Sequence, residues 1–249
     1  MLKAFLISFS TLTLLPLSPK EWKTADLKNS VAFYPLVGGS LGGLLALAGK
    51  IHLAHELKTP LLLLLWVMIT AAFHLDGLAD CCDGFFSGKT PEDRRRIMKD
   101  PMIGAYGVTG IVLTLLFKFS LLSRLLTEGD NWKWLILIPL AARWAVTLAC
   151  TVFKAPPGDG GLGSQVVGLA APWFAASTVL SLVAAIALLN LQGLEVFLLA
   201  GLTTLAVGFF SQTRIKGLTG DGMGAIIELS EVLGLFWAVL IHHEGFLQI

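Results

Sequence analysis

Long apolar stretches alternate along the chain with short polar ones. Apolar runs occupy residues 31–51, 60–73, 103–126, 132–153, 169–189, 196–210 and 225–241. Most come close to the roughly 20 residues that a helix needs to cross a bilayer. Their hydrophobicity is continuous rather than alternating, which argues for helices and against a transmembrane β-barrel. The pattern predicts an all-α, polytopic transmembrane bundle of about seven spanning helices. Residues 1–17 form a further apolar run that follows Lys3. It resembles the hydrophobic part of a signal peptide, but no A-x-A cleavage site follows. At this length a short spanning helix and an interfacial anchor both stay open. Gly38, Gly39, Gly42, Gly43 and Gly49 mark the 31–51 span as a face that another helix can approach closely. Residues 1–249 are expected to form one integral-membrane domain.

Composition sharpens this reading. The 249 residues are 55% hydrophobic and only 14% charged, with a mean hydropathy of +0.77. An ordinary soluble domain carries about 25% charged residues. The net charge of +1 says little about partners, and nothing in the chain suggests nucleic acid. Cys81, Cys82 and Cys150 show no CxxC spacing. Reduced thiols are the simplest reading, and zinc is unsupported. His52 and His55 lack further nearby ligand types that would complete a metal site.

The polar segments carry the chemistry. Residues 74–84 read HLDGLADCCDG. Asp76, Asp80 and Asp83 are spaced to share one face of a helix. Carboxylates this close repel one another unless protons or cations intervene. Mg²⁺ favours oxygen ligands, commonly one or two carboxylates plus substrate phosphates. The expectation is that this face holds Mg²⁺ against a phosphate-containing substrate; a polar helix end that simply meets water is the plainer alternative. Downstream, Thr90-Pro91-Glu92-Asp93 is a helix start signal for a surface helix over 91–99. Its Arg94, Arg95, Arg96 and Lys99 suit phosphates or anionic headgroups, and suit equally a cytoplasm-facing topology signal. Arg143 falls mid-span, where it needs a partner or a polar cavity. Glu228 and Glu231 are candidate partners for it. Residues 154–168, KAPPGDGGLGSQVVG, are Gly-rich without the Walker spacing. Residues 214–224 form a second motif-like loop containing Arg214 and Asp221.

Topology gathers these loops. With the aspartate segment cytoplasmic, residues 18–30, 74–100, 154–168 and 214–224 fall on one side. Residues 52–59, 127–131, 190–195 and the tail fall on the other. A polar site at the cytoplasmic face of the inner membrane would then hold carboxylates for metal, basic groups for phosphate and glycines for close approach. Phosphoryl-type transfer needs chiefly positioning and charge neutralisation. A transporter would instead place its polar groups near the midplane, where only Arg143 and Lys118 point that way.

Four pieces carry a family resemblance: FHLDGLADCCDGFFS, RRRIMKDPMIGAYG, the GLG of 161–163, and LTGDGMGAIIELSEV. In that order and spacing they resemble the adenosylcobinamide-GDP ribazoletransferases, also called cobalamin 5′-phosphate synthases, over nearly the whole chain. Gly222 departs from the Thr expected of relatives. The resemblance implies a membrane transferase joining adenosylcobinamide-GDP to α-ribazole, or its 5′-phosphate, with release of GMP and a need for Mg²⁺. It implies metal at Asp76, Asp80 and Asp83, and a proton acceptor in Asp83, ranked first, or His74. Substrate contacts would come from Arg94, Arg95, Lys99, Asp100, Arg214 and Asp221. Membrane lipid surrounds such a protein, and the sequence leaves room for a homo-oligomer. A more distant likeness to CDP-alcohol phosphotransferases rests on Asp80-Cys-Cys-Asp83-Gly84 and on Gly217 with Asp221. Their AR pair is absent, and Ala225 stands in place of their last acid. That activity is the alternative, and a small-solute transporter ranks below it.

Overall fold

The computed structural model describes residues 1–127 and 131–244, with side chains through residue 241. The fold is all-helical among the described residues. Helix α1 (Leu2–Leu12) is only 11 residues long. At 1.5 Å per residue it reaches about 16 Å, too short for a hydrocarbon core of about 30 Å. This length suits an interfacial anchor. Helix α2 (Thr24–Ser30) precedes a 3₁₀ turn (Val31–Phe33) and α3 (Tyr34–Gly49), so this span begins earlier than its apolar run. The backbone N–H of Lys23 donates to Asp26 at 3.0 Å, and this local bond winds the polar stretch into helix.

Helices α4 (His55–Ile69) and α5 (Phe73–Ser87) meet at an 82° bend. Ala71 and Ala72 form the corner, with φ of 53° and 55°. Two alanines in the left-handed region cost on the order of 1 kcal/mol each. The short helix α6 (Pro91–Ile97) starts where its sequence signal places it. Thr90 accepts from the Asp93 N–H at 3.1 Å, while its own hydroxyl donates to the Asp93 carboxylate. Then follow α7 (Ala105–Thr127), α8 (Trp132–Val152) and the short α9 (Leu162–Val166). Helix α10 (Ala171–Ile215) is broken at Asn190, where φ is 51° and ψ −131°. A Cβ on Gly193 would strike the Ala185 backbone, so the chain doubles back there. Its arms, 171–189 and 191–215, match the two spans predicted for this region. Helix α11 (Gly220–Glu244) closes the bundle.

Among the described residues five helices are long and apolar enough to cross a membrane, and α4 with α5 makes a sixth if the bent pair is one span. Counting the two arms of α10 separately reaches the predicted seven. The chain is therefore a multi-pass integral membrane protein. Residues 128–130 of the predicted 127–131 loop, and most of the predicted tail, lie outside the described residues.

Helix α8 is the centre, with residues such as Leu137, Ala142, Ala145 and Cys150 fully enclosed. Lipid tails are as apolar as leucine, so close backbone packing holds such a bundle together. Gly38 of α3 shows this, because a Cβ there would lie 2.8 Å from the Leu140 Cα. All three cysteines are free thiols. His55 hydrogen bonds Ser123 at 3.0 Å across α4 and α7.

A charged cluster sits inside the bundle. Lys118 of α7 donates to Glu228 at 2.6 Å and to Glu231. Arg143 of α8 donates to Glu231, which is the partnership anticipated from sequence. Trp66 of α4 donates its indole N–H to Glu231 at 3.2 Å. Two cations thus face two carboxylates, and the four side chains are 1–5% exposed. Their charges balance, as ionised residues within a membrane bundle must, although the Arg143 Nε has no hydrogen-bond partner among the described residues.

Candidate active site

The site forms where α5 crosses the start of α11. Gly77 makes this crossing close, since a Cβ there would lie 2.9 Å from the Asp221 Cα. Gly224 does the same from the other helix, with a Cβ that would lie 3.0 Å from the His74 carbonyl oxygen. Asp76 and Asp80 flank Gly77 on α5, so the crossing brings them towards Asp221. Asp80 feels the charges of Asp221, Asp76 and Asp83, and Asp221 feels those of Asp159, Asp76 and Lys99. Among the described residues none of Asp76, Asp80 and Asp221 is ion-paired with a basic side chain.

Asp83 is placed differently. Its two oxygens accept from the backbone N–H groups of Gly104 at 2.7 Å and Gly107 at 2.9 Å. The carboxylate caps the N-terminus of α7, where its charge meets the positive end of the helix dipole. A Cβ on either glycine would collide with this carboxylate. Asp83 therefore ties α5 to α7 and is 7% exposed. His74 lies deeper still, at 2% exposed, with its Nδ1 3.5 Å from Arg143.

The four polar segments converge on one side of the bundle. Leu218 N–H donates to the Lys154 carbonyl at 2.9 Å, joining the 154–168 loop to the 214–224 loop. Arg94 donates to the Arg214 carbonyl at 3.2 Å, and Lys216 pairs with Glu92 at 3.3 Å. Helix α6 is thereby fastened over the loop before α11. A backbone hydrogen bond at Glu92 itself, and then the Lys216 ammonium, hold the Glu92 carboxyl below its ordinary range. Helix α2 packs on α9, which completes the gathering.

A cavity of about 320 Å³ opens among these pieces, with Arg95, Lys99, Asp159, Thr219, Gly220 and Asp221 on its walls. Three anticipated site residues, Arg95, Lys99 and Asp221, are brought together here. Lys99 stands 3.8 Å from Asp159 and is 70% exposed, so it can leave that partner for a phosphate. Arg95 donates to the Pro157 carbonyl at 3.4 Å. Arg94 serves as a strut, as noted. Arg214 lies over the Phe210 ring at 4.9 Å, and Asp100 is exposed and accepts from the Met102 N–H at 3.0 Å in its own turn. Asp159 was not anticipated. It is the sole acid of a Pro- and Gly-rich loop, and that isolation was the available signal.

Among the described residues no three His, Cys, Asp or Glu side chains are gathered into a ready metal-binding group. Mg²⁺ does not require one, since it usually takes one or two carboxylates and completes its shell with water and phosphate oxygens. Asp76, Asp80 and Asp221, hard donors without basic partners, fit such an ion by their chemistry.

Fold and site together define a multi-pass membrane protein with a carboxylate- and arginine-lined cavity at one end of its bundle. Comparison with known proteins narrows the class. A family model described as cobalamin-5-phosphate synthase matches residues 4–240. The adenosylcobinamide-GDP ribazoletransferase of Prosthecochloris aestuarii is 34% identical, over 97% of this chain and 99% of its own. Those of Geotalea daltonii and Desulfitobacterium hafniense are 34% and 37% identical, over 97% and 93% of this chain and 98% and 94% of theirs. No solved structure matches. The chain belongs to the cobalamin-5-phosphate synthase family and is a transferase.

Proposed function

We propose that this protein joins adenosylcobinamide-GDP to α-ribazole, or its 5′-phosphate, and releases GMP. The observation that carries this reading is the α5–α11 crossing. It brings Asp76 and Asp80 close enough to Asp221 for their charges to interact, and Asp221 lines a cavity with Asp159, Arg95 and Lys99. A diphosphate needs both kinds of group, cationic contacts for its oxygens and carboxylates for a bridging cation.

In this reading the ribazole hydroxyl oxygen attacks the phosphorus nearer the cobinamide arm. A new P–O bond forms, the bond to the bridging oxygen breaks, and GMP leaves with that oxygen. Arg95 and Lys99 hold the phosphate oxygens and neutralise the departing anion. The hydroxyl proton passes to Asp76, the most exposed carboxylate of the set, because both Asp83 oxygens are taken by backbone donors. Asp80 and Asp221 would hold Mg²⁺. The ion, when bound, would supply charge neutralisation for the diphosphate. The site faces the cytoplasm of the inner membrane in this reading, because the basic loops gather on its side. Residues 1–249 act as one domain surrounded by lipid.

The test is GMP release by the purified protein in detergent, given adenosylcobinamide-GDP, α-ribazole and Mg²⁺. Chelation with EDTA should abolish it, and Mg²⁺ should restore it. Asp76→Asn and Asp221→Asn should each lower kcat by about 10²-fold or more with unchanged helical content. Absence of GMP release, with turnover of a CDP-alcohol instead, would transfer the chain to the alternative chemistry.

A further inference from the structure

Behind the polar cavity lies a second, smaller one of about 60 Å³. The two share Phe73, Leu162, Gly163 and Gly220 as walls. The inner cavity is mostly apolar, walled by residues such as Leu12, Val146, Val166, Met223 and Ile227. Its polar side chains are Thr11, whose hydroxyl donates to the Ile7 carbonyl at 2.8 Å, Tyr34, which hydrogen bonds Ser30, and His74. The Nε2 of the buried His74 ring has no hydrogen-bond partner among the described residues.

The proton on that nitrogen can be assigned. Arg143 Nη2 is the neighbour of Nδ1, at 3.5 Å. A guanidinium only donates, so Nδ1 accepts and Nε2 carries the hydrogen. A buried N–H without an acceptor is costly. What fills this cavity should therefore be apolar and flat, with a single acceptor atom in its plane.

Guanine does not suit it, because its edge carries several donors and acceptors that these walls leave unpaired. A benzimidazole does suit it. One ring nitrogen is bonded to ribose, the other keeps an in-plane lone pair, and the rest is hydrocarbon. Resting on the reaction proposed above, we propose that the inner cavity receives the benzimidazole ring of ribazole, with His74 Nε2–H donating to its free ring nitrogen. The ribose then lies across the contact of Gly163 with Gly220, two shared wall residues that present no side chain, and reaches the carboxylates. The ring is larger than the cavity at rest. Phe73 and Leu162, at the boundary between the two cavities and 51% and 57% exposed, turn aside to admit it.

The experiment compares α-ribazole with its 3-deaza analogue, which keeps the shape and replaces the free nitrogen with CH. With the wild-type protein the analogue should show a KM about 10- to 100-fold higher, at similar kcat. In His74→Phe the KM for α-ribazole should rise to that of the analogue, and the discrimination should vanish. Val166→Phe narrows the cavity from another wall and should raise the KM for both, leaving that for adenosylcobinamide-GDP within about twofold. Equal KM values for the two ribosides in the wild-type protein would overturn the assignment. So would a His74→Phe variant that loses kcat equally on both while still discriminating, since His74 would then act in the chemistry or the packing. Equilibrium binding of the two ribosides separates the two proposals. Selective binding without GMP release keeps the pocket and rejects the reaction, whereas GMP release without selectivity does the reverse.

Discussion

Removing one charge from the buried cluster should cost far more than removing a matched pair. Lys118 and Arg143 balance Glu228 and Glu231, so the cluster is neutral as it stands. Lys118→Met leaves one excess negative charge inside the bundle, and Glu228→Gln leaves one excess positive charge. At 2.6 Å, and with an effective permittivity of about 20, the Lys118–Glu228 attraction is about 6 kcal/mol. Desolvation offsets much of that while the pair is intact. Breaking the pair strands a charge, and each single substitution should therefore cost about 3–5 kcal/mol. The double variant restores neutrality and should cost at least about 2 kcal/mol less than the two singles together. Thermal unfolding in one detergent is the assay, because all four proteins share the same background. Each single should lower the midpoint on the order of 10 °C. If the double variant's loss equals the sum of the singles, the groups are not coupled and the argument from charge balance fails.

Two further outcomes follow from the local geometry. Asp83→Asn removes the charged acceptor at the start of α7, so it should destabilise by about 1–2 kcal/mol and loosen residues 101–107, read as faster amide exchange there; unchanged exchange would deny Asp83 its capping role. The Asp93 carboxyl is held below its ordinary range, first by the Thr90 hydroxyl and then by the Thr90 backbone. Its support for α6 is therefore present above the usual carboxylate range and lost as pH falls through the lowered value. Thr90→Ala should raise the Asp93 titration midpoint measured by carboxyl NMR, and an unmoved midpoint would reject the capping box as its cause.

Local patterns decided much of this protein. Apolar length sets which segments can cross a bilayer, because an unpaired backbone is intolerable there. The Thr90 cap and the start of the helix at Pro91 were legible for the same reason, as they depend on neighbours three residues apart, although the helix ends at Ile97 and not at the expected 99. The pairing of Arg143 with Glu231 was foreseeable, since a lone charge in that environment demands an opposite. Helical spacing also placed Asp76, Asp80 and Asp83 on one face, but a face is shared among several neighbours. Only the packed bundle showed that Asp83 meets the N-terminus of α7 while Asp76 and Asp80 meet α11 beside Asp221. The same is true of Asp159, which enters the site because Gly217 lets the 214–224 loop lie against Pro156. Spacing along a chain determines which side of a helix a residue occupies. The crossing of one helix over another, set by where a missing side chain permits contact, determines what that residue touches.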